Sequence, residues 1–253
     1  MSETAKKYYF MADAHLGSML KEDQKAHEQK VVRWLDMVSK DADEVFLLGD
    51  IFDFWFEYRY VVPKGFTRLL GTMARMVDNG IKIHFFPGNH DWWTFGYLEK
   101  EVGVIVHREP LEVVLNGQRF YLAHGDGLGD DSRAFRFARW CFHNPVLQWI
   151  VKTLPCAWGQ WVGLKWSASS RKKHETGHVS DFRGEENEHL VQFAKRYSES
   201  HPIDYFVFGH RHLYLYLQLA TRSRLCILGD FFDEFTYAVF DENGFIPETF
   251  EFE

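Results

Sequence analysis

The chain has 253 residues, 46% of them hydrophobic, enough to bury a sizeable core in one domain, and its 29 Lys and Arg against 36 Asp and Glu give a net charge of −7. That balance weighs against a protein whose main partner is a nucleic-acid backbone. Cys141, Cys156 and Cys226 form no CxxC pair and leave an odd count, so neither a disulfide framework nor a thiolate zinc site is expected, and a reducing cytoplasm is the simpler setting.

No basic and then apolar leader precedes Tyr8, and no apolar run approaches the ~18 residues of a membrane span. The first strand is predicted at Tyr8 to Ala12, an apolar run that ends at Asp13. A helix over Gln24 to Ser39 follows, with Val31, Leu35 and Val38 at helical spacing. Val45 to Leu48 before Gly49-Asp50 reads as a second strand. Gly65 to Asp78 reads as a second helix, carrying Leu69, Met73, Met76 and Val77 and stopped by Asn79-Gly80. Ile81 to Phe86 is a third strand, running into Pro87-Gly88-Asn89-His90. Leu111 to Leu115 and Arg119 to Ala123 form a hairpin through Asn116-Gly117, the strongest short turn signal, and the second arm delivers His124-Gly125-Asp126.

From about 130 to 186 strand character fades. Trp140, Trp149, Trp158, Trp161 and Trp166 accompany Arg133, Arg136, Arg139, Arg171, Lys172 and Lys173, in a chain that is 17% aromatic. This stretch is expected to be a helical cap inserted into a single domain spanning 1–253. Pro145 and Pro155 divide it, and Arg133, Arg136 and Arg139 share one helix face. Strands return at Tyr205 to Phe208 before Gly209-His210-Arg211-His212, then around Tyr214 to Ala220, Leu225 to Leu228 and Tyr237 to Phe240. The mixture predicts an α/β fold with two sheets facing one another and helices outside.

Asp13, His15, Asp50, Asn89, His90, His124, His210 and His212 all follow a predicted strand. In layered α/β proteins the loops at the carboxyl ends of strands converge on one edge, so residues two hundred positions apart can meet there. Carboxylate, amide carbonyl and imidazole together suit Mn²⁺, Fe²⁺ or Zn²⁺, and the two oxygens of Asp50 make it the natural bridge between two ions. Each motif alone is commonplace: a lone buried histidine is usually a packed core residue, and Gly-Asp or Gly-Asn is usually a turn. Five of them in order, each after an apolar run, are not.

Asp-x-His, Gly-Asp-x-x-Asp, Gly-Asn-His-Asp, His-Gly-Asp and Gly-His-x-His, spread from Asp13 to His212, resemble the calcineurin-like metallophosphoesterase superfamily. The resemblance implies a four-layer α/β/β/α sandwich of two mixed sheets. It implies that Asp13, His15 and His212 hold one divalent ion, that Asn89, His124 and His210 hold a second, and that Asp50 bridges them. The nucleophile would then come from water, and phosphoryl transfer would need in-line positioning and charge stabilisation, not a Ser motif or a P-loop. His90 would lie beside the ions without ligating them and assist the leaving group, oriented by Asp91. Asp53, Asp126 and Arg211 would support these residues from behind.

Asp50-Ile51-Phe52-Asp53-Phe54-Trp55, the run from His124 to Asp131 and Asn144-Pro145 resemble more narrowly the UDP-2,3-diacylglucosamine hydrolase family. That resemblance implies a Mn²⁺-dependent pyrophosphate hydrolysis in lipid A synthesis, on the cytoplasmic face of the inner membrane, yielding UMP and a lipid monophosphate. The aromatic insertion would receive the acyl chains and rest peripherally on the membrane, and Arg171 and Lys172 would contact substrate. Its structural alternative is ordinary helix packing with a solvated basic face. One residue departs: many such hydrolases carry Arg after the Gly-Asn pair, where this chain has His90. That keeps open a second enzyme reading, hydrolysis of another phosphodiester or phosphomonoester. A non-catalytic scaffold is the third, opposed by the complete ligand set.

Overall fold

The structure is a computed structural model that describes residues 5–129, 140–176, 182 and 184–252, without the side chains of 170–176. Its elements begin β1 (Tyr8–Met11), α1 (Gln24–Val38), β2 (Glu44–Leu47), α2 (Thr67–Asp78), β3 (Lys82–Phe85), a π-helical turn (Leu98–Val102), β4 (Ile105–Val106), β5 (Leu111–Leu115) and β6 (Gln118–Ala123). They continue with α3 (Pro145–Thr153), α4 (Cys156–Thr176), α5 (His189–Ser198), β7 (Tyr205–Phe208), β8 (Tyr214–Gln218), β9 (Arg224–Leu228), β10 (Thr236–Asp241) and β11 (Gly244–Thr249).

One sheet runs β11-β10-β1-β2-β3-β4 and the other β5-β6-β7-β9-β8. Within them β1 to β4 are parallel, as are β6, β7 and β9, while β10, β11, β5 and β8 pair antiparallel at the flanks. The central strands are buried on both faces, which is why they read as continuous apolar runs. Period-two alternation divides them between layers. Tyr9, Met11, Val45, Leu47, Ile83 and Phe85 pack beneath α1 and α2, whereas Phe10, Phe46, Phe120, Val207 and Cys226 fill the space between the sheets. Tyr121, Phe206, Phe208, Leu225 and Ile227 pack beneath Leu190, Val191 and Ala194 of α5. The result is the expected α/β/β/α order.

Local chemistry fixes the element ends. Asp23 caps α1 by accepting from the Ala26 amide, while α2 has no side-chain cap of its own and borrows Glu28 of α1, which accepts from Arg68 and Leu69. Asn116 and Gly117 both take positive φ, as a two-residue hairpin turn requires. Asn144 caps α3, Pro145 opens it, and Pro155 separates it from α4. The Arg133, Arg136 and Arg139 face expected from the sequence lies outside the described residues. Strand β4, edge strand β11 and helix α5 were not foreseen. Among the described residues, no helix is long and apolar enough to cross a membrane.

Candidate metal centre

Six of the seven predicted ligands, Asp13, His15, Asp50, His124, His210 and His212, fall in close groups at the carboxyl ends of the strands, and Asn89 follows β3 at the same edge. Asp13 and His15 follow β1, Asp50 follows β2, Asn89 and His90 follow β3, His124 follows β6, and His210 and His212 follow β7. Five of them, Asp13, His15, Asp50, His210 and His212, take positive φ between 44° and 71°. Such values are uncommon for non-glycine residues and mark positions where the surroundings dictate the backbone. The preceding glycines serve close approach: a Cβ on Gly49 would lie 2.3 Å from the His124 ring, and one on Gly88 would lie 2.2 Å from Asp50 Oδ1.

Among the described residues three overlapping groups of ligand atoms result, Asp13 with His15 and His212, Asp50 with His124 and His210, and His15 with Asp53 and His90. In the first, His15 Nε2 and His212 Nε2 face each other at 3.1 Å, with Asp13 Oδ1 at 3.7 Å from one and 3.5 Å from the other. In the second, Asp50 Oδ2 lies 3.4 Å from His124 Nε2, and it also reaches to 3.8 Å from His15 Nε2, so this carboxylate faces both groups. His124 Nδ1 donates to the Leu48 carbonyl at 2.8 Å, which turns Nε2 toward the cluster. Asp13 Oδ1, Asn89 Oδ1 and His124 Nε2 are buried with no hydrogen-bond partner. Orphaned polar atoms of that kind are costly in a protein interior, and divalent cations supply the partners they lack. The residues therefore fit the two ions that the motifs imply.

The electrostatics agree. Burial alone would raise the Asp50 carboxyl, but the imidazoles of His124, His90 and His15 outweigh it and hold Asp50 well below the usual carboxylate range. Burial likewise works against a charge on His124, yet Asp50 lifts it well above the usual histidine value. Burial dominates at His90, pushing it down to about 4.

His90 is oriented otherwise than expected. Its Nδ1 lies 3.0 Å from the Asp53 carbonyl and 3.0 Å from Ser167 Oγ, while Nε2 faces Asp50 Oδ2 at 3.9 Å. Asp91, expected to orient this ring, instead accepts backbone amides from Gly88, Asp50, Ile51 and Phe52. It ties the loop after β2 to the loop after β3, because those loops bring four amides to one point and only an acceptor satisfies them. Burial, and then the Asp50 charge, raise Asp91 to about 7.

Asp53 places Oδ1 3.3 Å from His15 Nδ1, and Arg211 pairs in bidentate fashion with Glu188. The side chains of Arg171 and Lys172 lie outside the described residues. Sequence reasoning passed over Asp230 altogether. Asp230 places Oδ2 3.5 Å from His212 Nδ1 and is held below the usual range, since contacts from His212 and the Asp233 and Glu234 amides outweigh burial. The run from Leu225 to Gly229 before Asp230 repeats the strand-Gly-Asp signal that identified Asp50. Ser167 heads the serine and basic run to Lys173, whose resemblance implies a substrate-contacting cap segment; its contact with His90 had no signal in the sequence.

Residues 6–214 match the family described as Calcineurin-like phosphoesterase. The chain is 39% identical to the UDP-2,3-diacylglucosamine hydrolase of Porphyromonas gingivalis over 259 residues, covering 97% of this chain and 98% of that protein. It is 26% identical to the protein of the same name from Actinobacillus succinogenes, covering 88% and 91%. Among solved structures, a dimetal phosphatase from Danio rerio aligns over 98% of this chain and 100% of its own, with a TM-score of 0.44 and 12% identity.

Proposed function

The chain belongs to the calcineurin-like phosphoesterase family, and from that premise we propose that it hydrolyses the pyrophosphate bond of UDP-2,3-diacylglucosamine, giving UMP and 2,3-diacylglucosamine 1-phosphate in lipid A synthesis. The observation that carries the lipid substrate is the apolar face of α3 and α4. Trp149, Trp158 and Trp161 are 65%, 69% and 62% exposed, and Val146, Ile150, Leu154 and Val162 are exposed around them. Core-packing aromatics would be covered, and an uncovered face of this size is a feature of lipid and partner sites. The neighbouring Trp166 packs 5.3 Å from His90, so this face adjoins the ligand cluster.

Asp13, His15 and His212 would hold one ion and Asn89, His124 and His210 the other, with Asp50 between them; Mn²⁺ is the ion that the family resemblance implies. Bound there, the ions supply Lewis acidity for water activation and for the charge on the phosphoryl oxygens. The protein's own part is orientation and enclosure. The His124 bond to Leu48 and the Asp53 contact to His15 fix two imidazoles, and Asp91 fixes the loops that carry Asp50 and Asn89. His90 presents Nε2 beside Asp50, where a phosphate ester's leaving group would lie. A phosphate monoester departs without needing a proton, since its second pKa is about 6. A pyrophosphate therefore asks for no proton from His90, whereas an alkoxide leaving group asks for one, which Nε2 can give only when the ring carries a hydrogen on both nitrogens.

Exposed Trp with Lys152 and Lys165 nearby also suits peripheral attachment to an anionic inner-membrane surface on the cytoplasmic side. The second reading, a phosphodiesterase for a soluble ester, is favoured by His90 standing where many such hydrolases carry Arg.

The test incubates Mn²⁺-loaded protein with UDP-2,3-diacylglucosamine and follows UMP by mass spectrometry, beside bis(4-nitrophenyl) phosphate. Fast UMP release with poor diester turnover supports the proposal, and diester turnover without UMP selects the second reading. Co-sedimentation with anionic vesicles, reduced in Trp149→Ala/Trp158→Ala/Trp161→Ala, tests the membrane surface; no binding at low salt removes it.

A further inference from the structure

We propose that Ser167, carried by helix α4, is a positioning residue for His90, so that the group facing the ester's leaving side is fully oriented only while α4 is docked. The inference rests on the phosphoesterase reading above and adds a specific link between the insertion and the reaction centre.

The Asp53 carbonyl at 3.0 Å can only accept, so the hydrogen of the His90 ring sits on Nδ1. Ser167 Oγ, also 3.0 Å away, shares that hydrogen. Both contacts fall on the same ring nitrogen. Rotating the ring by half a turn would put carbon where Nδ1 stands and lose both, so together they hold Nε2 toward Asp50. Asp53 belongs to the catalytic loop itself. Ser167 does not: it is 77 positions away in sequence and fully buried.

Its placement depends on how α4 docks. Gly159, Gly163 and Ser167 are spaced by four and so form one ridge about 12 Å long. A Cβ on Gly163 would lie 2.3 Å from the Phe54 ring, and one on Gly159 would lie 2.0 Å from the Tyr58 hydroxyl. The two glycines thus allow the helix to press against the chain that follows Asp53, and the next position on the ridge meets His90. Trp166, one residue earlier, covers the ring from the side. On the opposite face the helix exposes Trp158, Trp161 and Val162, the residues proposed to meet lipid. Whatever displaces α4 from Phe54 therefore withdraws Ser167 from His90.

The experiment compares wild type, Ser167→Ala, His90→Ala, the double variant and Gly163→Ala, all Mn²⁺-loaded, with bis(4-nitrophenyl) phosphate and with UDP-2,3-diacylglucosamine. On whichever substrate is turned over, Ser167→Ala is expected to lower kcat about tenfold with KM nearly unchanged, the size of one hydrogen bond to a reacting group. It should cost nothing further once His90 is Ala, and Gly163→Ala should reproduce its kcat loss although the hydroxyl is retained. Losses from Ser167→Ala that add to those of His90→Ala, or no loss at all, would overturn the positioning role. A second readout needs no turnover: in zinc-loaded protein labelled with ¹⁵N-histidine, the His90 Nδ1–H, left with the Asp53 carbonyl alone in Ser167→Ala, should shift its ¹H and ¹⁵N resonances and exchange faster with solvent. Identical spectra sink the inference even if the enzyme is active; a shifted Nδ1–H in a protein that hydrolyses neither substrate keeps the contact and rejects the function.

Discussion

Gly88→Ala tests whether the glycine before Asn89 is a turn residue or a spacer. Gly88 does not take positive φ, so alanine adds no backbone penalty, and its whole effect must come from the new methyl group. That methyl would stand 2.2 Å from Asp50 Oδ1 and 2.8 Å from the Asp50 amide nitrogen. Non-bonded heavy atoms settle near 3.5 Å, so the carboxylate must give way by about 1 Å. Asp50 has little room: Oδ1 accepts from the His90 amide at 2.9 Å, and Oδ2 faces His124 at 3.4 Å. Misplacement of about 1 Å costs on the order of a hundredfold in rate, and forcing a methyl into a packed site costs about 1–3 kcal/mol of stability. The assay is kcat on the chromogenic diester across a Mn²⁺ titration, with thermal melting in parallel. Gly71→Ala in α2 is the control, since nothing lies within 4 Å of its added methyl; it should leave kcat unchanged and stabilise by up to about 1 kcal/mol. Activity of Gly88→Ala within about threefold of wild type, at unchanged Mn²⁺ demand, would refute the spacer argument.

Asp50→Asn should abolish nearly all turnover and most of the rise in melting temperature that Mn²⁺ gives over EDTA, a rise equivalent to about 2.7 kcal/mol at a hundredfold excess over Kd; retained activity would overturn the bridging assignment. Glu28→Ala removes the acceptor for two amides at the start of α2 and should cost about 1–2 kcal/mol in urea unfolding, with kcat on the diester unaffected. His84 and His107 are hydrogen-bonded at 2.8 Å and both lie below the usual histidine value, mainly through burial, His107 at about 4. The unfolded chain then binds more protons, so stability present above pH 6.5 is lost as pH falls toward 4. His107→Gln should flatten that decline in urea midpoints measured between pH 7 and pH 4.5, and an unchanged slope would refute it.

How much of this was legible depended on whether the physics was local. β1, β2, β3 and β7 were readable because burial on both faces leaves an unbroken apolar run, and the ligands because their chemistry restricts the residue types. β4 is two residues long, and β11 carries Pro247 on a sheet edge, where a missing amide is tolerated but the strand pattern is blurred. Helix α5 begins without a side-chain cap at Glu188 and announces itself only through Leu190, Val191 and Ala194. Periodicity placed tryptophans on helices between β6 and β7 without telling whether their face was covered, since coverage depends on neighbours distant in sequence. Ser167 shows the same limit: its partner is fixed by the register of α4 against Phe54, which no local pattern encodes.

The ligand residues themselves explain why Gly-Asp and Gly-His pairs recur. A parallel strand must turn sharply at its carboxyl end if the next side chain is to point along the sheet edge. At Asp13, His15, Asp50, His210 and His212 the backbone does so at positive φ, a cost of about 1–3 kcal/mol for each non-glycine residue. Glycine at those positions would relieve the strain but remove the ligand. Before Asp50 and His210 the chain places glycine, where a neighbouring side chain presses on the backbone, as His124 does at Gly49 and Asp13 at Gly209, whereas Asp13, His15 and His212 follow Ala12, Ala14 and Arg211. At Gly209, which does not take positive φ, the glycine is a steric device, whereas at Gly49, with φ 89°, close approach and backbone conformation both require it. Mutations that relax the ligand backbone are accordingly expected to raise stability in EDTA and to lower metal affinity, because the conformation they release is the one that aims the ligands.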